Sequence, residues 1–158
     1  MNVRPKSIAA VAAAMLVLVG TKAGLAQEPS DPAIELLEGQ VVTFFDALGR
    51  GEAARAFSEL LLNSPLAKQD QAIQSLVNDI GILKDRCGEY RECERLSARL
   101  VGTDLAVFRY LYKCENYPVA WYFVFYRPPL RNGVGSDSTS RWRVISVRFD
   151  TDLESLAR

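Results

Sequence analysis

The chain has 158 residues, with 19 basic and 19 acidic side chains, a formal net charge of 0 and no histidine. With its Arg residues scattered among carboxylates rather than collected on one stripe, the chain shows no electrostatic footprint for nucleic acid or an anionic membrane surface. Without histidine, and with three cysteines spaced unlike the common zinc patterns, no metal site and no cofactor are expected.

Arg4 and Lys6 precede an uncharged apolar run over residues 8–19, and Gly24-Leu25-Ala26 places small residues where a signal peptidase reads them. Residues 1–26 are therefore predicted to be a signal peptide cleaved after Ala26, with a periplasmic or secreted product. The competing reading is an N-terminal membrane anchor, but the run falls short of the about 20 apolar residues that span a bilayer. No cysteine sits beside the cleavage site for lipid attachment, and no Arg-Arg pair marks the twin-arginine route. Loss of Arg4, Lys6 and Lys22 takes the formal charge from 0 to −3. Residues 27–158 are long enough for a single core.

Ser30 or Asp31 caps the first predicted helix, and Pro32 stands in the first turn, where a missing N–H costs nothing. Ile34, Leu37, Val41, Phe44, Phe45 and Leu48 fall at helical spacing and make one apolar face, which Gly49 and Gly51 end. A second helix is predicted over residues 52–62, with Ala54, Phe57 and Leu61 on one side, and Asn63-Ser64-Pro65 closes it. A third runs over residues 67–86, striped by Ile73, Leu76, Val77, Ile80 and Leu83, with Gly88 as its stop.

After Gly88 the apolar period changes from helical to alternating. Residues 92–101 predict a strand with Leu96, Ala98 and Leu100 on one side, and Gly102-Thr103-Asp104 is a turn. Residues 105–114 and 119–127 are two strands dense in aromatic and β-branched residues, separated by Glu-Asn-Tyr-Pro. Pro128-Pro129 ends the second of these, and residues 130–139 form a Gly/Ser/Asp-rich loop. The last strand, residues 141–149, offers Ile145, Val147 and Phe149 to one face and Trp142 and Val144 to the other. The expected fold is α+β, with three N-terminal helices on one face of a curved antiparallel sheet of about four strands.

If Thr103 and Asp104 are the central pair of the first hairpin, Gly102 faces Leu105 and the ladder brings Cys93 opposite Cys114. Opposed Cβ atoms about 4.5–5.5 Å apart come close to what a disulfide needs. Closing that loop is worth about 3 kcal/mol if the gain is unfolded-chain entropy. A Cys93–Cys114 bridge is thus expected, with Cys87–Cys93 as its rival. If the second hairpin aligns even-numbered positions, Phe108, Tyr110, Tyr112, Tyr122, Tyr126 and Trp142 share the outer face. A bare aromatic patch of that kind predicts self-association or a partner protein there. The competing reading folds the C-terminal segment or the 130–139 loop over it.

The order of three helices and then four strands, together with Arg109, Trp121, Tyr126, Trp142 and Phe149-Asp150, resembles uncharacterised exported bacterial members of the nuclear transport factor 2-like and ketosteroid isomerase superfamily, with its cystatin-like cone. The resemblance implies a sheet curled around the first helix, a cavity between them, and homodimerisation through the outer sheet face. In the register that puts the even-numbered aromatics outside, Arg109 faces the helices and either pairs with Asp46 or Asp79 or lines the cone's cavity and holds an anionic ligand group. Trp121, Phe125 and Phe45 then supply apolar walls, and these four are the ligand-binding candidates. The family's dehydratase branch resembles a site of His and Asp, and this chain has no His. The isomerase branch uses a Tyr and two acidic residues, which have no counterparts at matching places in these strands. The reading is a non-catalytic exported domain that binds a small apolar or amphipathic ligand or a partner chain. The alternative is an isomerase or hydratase with a carboxylate base and Tyr as electrophile.

Overall fold

A computed structural model of the full chain describes residues 31–129 and 142–154. The expected signal peptide over residues 1–26 and the loop over 130–139 lie outside the described residues. Helix α1 (Pro32–Gly49) begins where the Asp31 carboxylate accepts the Ala33 N–H at 2.8 Å, with Pro32 at its first position. It buries Ile34, Leu37, Val41, Phe44, Phe45, Ala47 and Leu48, the predicted stripe with one alanine added. Gly51, at φ +81°, turns the chain into α2 (Ala53–Leu60). This short helix buries Ala56, Phe57 and Leu60 rather than the predicted Ala54, which is exposed.

Ser64 starts a 3-10 turn over Pro65–Lys68, and α3 follows as Asp70–Cys87, three residues later than expected. Ser64 is buried and has two bonds. Its hydroxyl donates to the Val144 carbonyl of the last strand and accepts the Leu66 N–H. Helix α3 fully buries only Leu83 and Cys87, while Ile73, Leu76, Val77 and Ile80 are half-covered against the core.

The sheet is an antiparallel meander of β1 (Tyr90–Val101), β2 (Leu105–Cys114), β3 (Val119–Tyr126) and β4 (Arg143–Asp150), in that order. With three helices ahead of four antiparallel strands, the α+β architecture is as expected. Both hairpin registers differ from expectation. The first turn holds three residues, Gly102 (φ +65°), Thr103 and Asp104, so Val101 rather than Gly102 faces Leu105. Bulges near Arg91 and Leu96 shift the ladder further, leaving Cys93 opposite Tyr112 and Cys114 opposite Tyr90. The expected Cys93–Cys114 opposition is therefore absent, and Leu96 is extruded to the surface.

In the second hairpin even-numbered residues face odd-numbered ones, as in Phe108 with Phe123 and Tyr110 with Trp121. Ala106, Phe108, Tyr110 and Tyr112 consequently point at the helices, next to Val119, Trp121, Phe123 and Phe125, and all eight are buried. The physical reason lies in the other side of β2, which carries Arg109 and Lys113. Burying a guanidinium and an ammonium costs far more than burying two phenols. A bulge at Ile145 then lets both Trp142/Val144 and Val147/Phe149 turn toward the core. Phe108, Tyr110, Tyr112 and Trp142 are thus core residues and not an outer patch.

Ser64 joins the helical layer to β4 at a buried position, so its loss orphans the Leu66 N–H and the Val144 carbonyl together. Ser64→Ala is expected to cost about 1–3 kcal/mol, read as a lower urea midpoint at unchanged m-value. An unchanged midpoint would show that this contact does not join the layers.

Candidate functional site

Four glycines shape the opening between α1, α3 and β1. Gly49 ends α1 directly under the ring of Tyr90, where a Cβ would stand 2.4 Å from Cδ1. Gly88 ends α3 at φ +83°, and Gly51 and Gly81 flank the mouth. Gly81 is mid-helix, a position that costs about 1 kcal/mol relative to Ala. A Cβ built there meets nothing within 4 Å. Because α3 buries only Leu83 and Cys87 fully and the rest of its stripe is half-covered, a cavity of about 260 Å³ stays open beneath it. Leu48 and Ala53 form one wall, Val77, Ile80 and Leu83 the roof, and Tyr90 and Tyr112 the floor. The two tyrosine rings stack at 4.5 Å between centroids. Lys84 stands at the rim, with its Nζ 3.9 Å from the point where a Gly51 Cβ would be.

Burial pushes the Tyr90 and Tyr112 phenols above the ordinary tyrosine range, and the surrounding thiols add to this. The Cys93 thiol acts on Tyr90 in this way, and Tyr112 has all three thiols close enough to act on it. The Cys114 thiol is pushed up to about 12, first by burial and then by the nearby Cys87 thiol. Among the described residues no three His, Cys, Asp or Glu side chains converge on a metal position. No carboxylate lines the cavity, and a lone rim ammonium is its one charged group among the described residues. Such an arrangement can hold an apolar body with an anionic end.

The predicted ligand-binding residues do not assemble. Phe45, Trp121 and Phe125 lie fully inside the core, where Phe45 packs against Trp121 at 5.7 Å between ring centroids. Arg109 is on the opposite face of the sheet, over the ring of Tyr122 at 5.8 Å, with Arg148 over the same ring at 4.3 Å. Placed there, it cannot reach the helix-borne Asp46 or Asp79, and both of those are exposed. Of the outer-face aromatics expected, Tyr122 and Tyr126 do lie outward, each half-buried. The cavity itself escaped the sequence reading because its glycines read equally well as helix stops. The signal that could have found it is Gly81, a glycine inside a helix with no turn to make.

No family model matches the chain, and comparison with curated proteins and with solved structures gave no significant match.

The raised phenols set a sign for the alkaline limb of stability. The unfolded chain gives up tyrosine protons near pH 10, whereas folded Tyr90, Tyr110 and Tyr112 retain theirs to higher pH. Their contribution is complete below the unfolded value and fades as pH climbs toward the folded one. Thermal melts are expected to fall steadily above about pH 10, with absorbance at 295 nm showing a late-titrating tyrosine class released on unfolding. Six tyrosines titrating together near pH 10 in the folded protein would contradict this.

Proposed function

We propose that this is an exported, non-catalytic α+β domain that holds a small amphipathic molecule with an anionic end in the cavity beneath α3. The cone-shaped superfamily named above is the fold relationship we propose for it, carried by the order and length of its elements. The observation that carries the binding reading is the cavity itself. Its walls are apolar, and at about 260 Å³ it lies just under the about 300–1,000 Å³ common for drug-sized ligands. The open space over Gly81 supports the same reading, since a side chain there would improve the helix while filling the mouth. Lys84 at the rim supplies a cation for the ligand's head.

The enzyme alternative has less support, because Asp46 and Asp79 lie on the surface and, among the described residues, no carboxylate lines the cavity. An outer-face partner or second copy is also less supported. Four of the six aromatic residues expected there are in the core, leaving Tyr122 and Tyr126 beside Val107, Leu111 and Val124. Sedimentation at high concentration tests that reading, and a monomer would remove the second copy.

Titration calorimetry with a straight-chain carboxylate such as octanoate tests the binding reading. Gly81→Leu is expected to weaken binding at least tenfold without lowering the melting temperature. Lys84→Gln should weaken it about three- to tenfold, in line with one partly exposed charge pair of about 1 kcal/mol. Equal affinity in the wild type and both variants would rule out this cavity as the site.

A further inference from the structure

Cys87 closes α3 and Cys114 closes β2, and the backbone brings these two chain ends together. The Asn116 N–H donates to the Cys87 carbonyl at 2.9 Å, and the Glu115 N–H donates to the Glu89 carbonyl at 2.9 Å. The Asn116 side-chain amide donates to the Arg86 carbonyl at 3.1 Å. Gly88 permits the approach, for a Cβ on it would stand 3.1 Å from the Glu115 Cβ. Inside this clamp the Cys87 thiol donates to the Gly88 carbonyl at 3.5 Å and lies close enough to the Cys114 thiol to push that group's pKa upward. The third cysteine, Cys93, belongs to β1 and faces Tyr112 across the hairpin rather than Cys114.

We propose that Cys87 and Cys114 form a structural disulfide that staples the end of α3 to the end of β2, leaving Cys93 as the free thiol. The Cys87 thiol is near enough to act on the Cys114 thiol, and three hydrogen bonds hold the two backbone segments together, which is the proximity a bridge requires. The bridge forms by exchange with a low-molecular-weight disulfide such as oxidised glutathione. Cys114, the more open of the two, loses its proton and its sulfur attacks one sulfur of that disulfide. The oxidant's S–S bond breaks, one thiolate leaves, and a mixed disulfide remains. Cys87 then loses its proton and attacks the Cys114 sulfur, expelling the second thiolate. Two protein thiols are oxidised, one disulfide is reduced to two thiols, and those take up the two protons. Burial keeps the Cys114 thiol protonated at neutral pH, so exchange through it is slow, as suits a staple rather than a switch.

The loop so closed runs over residues 87–114, and closing a loop of this size should raise the melting temperature by about 10 °C. The test uses the full chain incubated with oxidised glutathione at pH 8.5, alkylated without reduction and digested with trypsin. Cleavage after Arg86, Arg91, Arg95 and Lys113 puts the three cysteines on separate peptides. The expected result links peptide 87–91 to the peptide beginning at Cys114, with peptide 92–95 joined to no other. Reduction should lower the melting temperature by about 10 °C in the wild type and equally in Cys93→Ser. A linkage through Cys93, three cysteines in unlinked peptides, or equal melting of the oxidised and reduced forms would overturn the proposal.

Discussion

Two adjacent phenylalanines on α1 both have to be buried, and the sheet is arranged to receive them. Phe44 meets Phe57, Trp121 and Phe123 with ring centroids at 5.1, 5.4 and 5.6 Å, all edge to face. Phe45 meets Tyr110, Tyr112 and Trp121 at 5.4, 5.5 and 5.7 Å. Such ring pairs add about 0.5–1.5 kcal/mol each beyond the area they bury. Removing one such ring from a packed core costs about 3–5 kcal/mol. The partners come from α2, β2 and β3 at once, so this cluster sets the side of the sheet on which the helices lie.

The polar groups are distributed around that cluster. At one edge Glu38 of α1 pairs with Arg95 of β1, and the Tyr110 hydroxyl lies beside the same carboxylate. On the outer face Lys113 bonds Glu92 and Glu94 at 2.7 and 2.8 Å, and Arg109 and Arg148 flank the Tyr122 ring. Cations on β2 thus stay where water reaches them, and its phenols go inside. Helix α3 is left with little core to cover. Its loose seating, with Gly49 tucked under Tyr90, leaves the cavity between α1, α3 and the start of β1.

The helical half of the fold was legible because the α1 stripe has one apolar side and one polar side. Strand β2 has no such contrast, since Leu105, Val107 and Leu111 alternate with Ala106, Phe108, Tyr110 and Tyr112. Period-2 reasoning cannot choose between two apolar sides. The parity of Arg109 and Lys113, both odd, was the available signal, and it points outward. Register arithmetic failed for a related reason: one more residue in the Gly102 turn and two bulges move Cys114 from Cys93 to Tyr90. Cys87 could not enter that arithmetic, because its approach to Cys114 is a helix-to-strand contact made through Gly88 and Asn116.

The most direct measurement of this account is the pattern of nuclear Overhauser contacts from the Phe45 ring. Inward-facing Tyr110 and Trp121 place those rings near enough to Phe45 for strong cross-peaks. Cross-peaks from Phe45 to Tyr110, Tyr112 and Trp121, with none to the Arg109 side chain, are the expected result. Phe45 contacts to Arg109 or Leu111 in place of Tyr110 would reverse the faces of β2 and contradict the account.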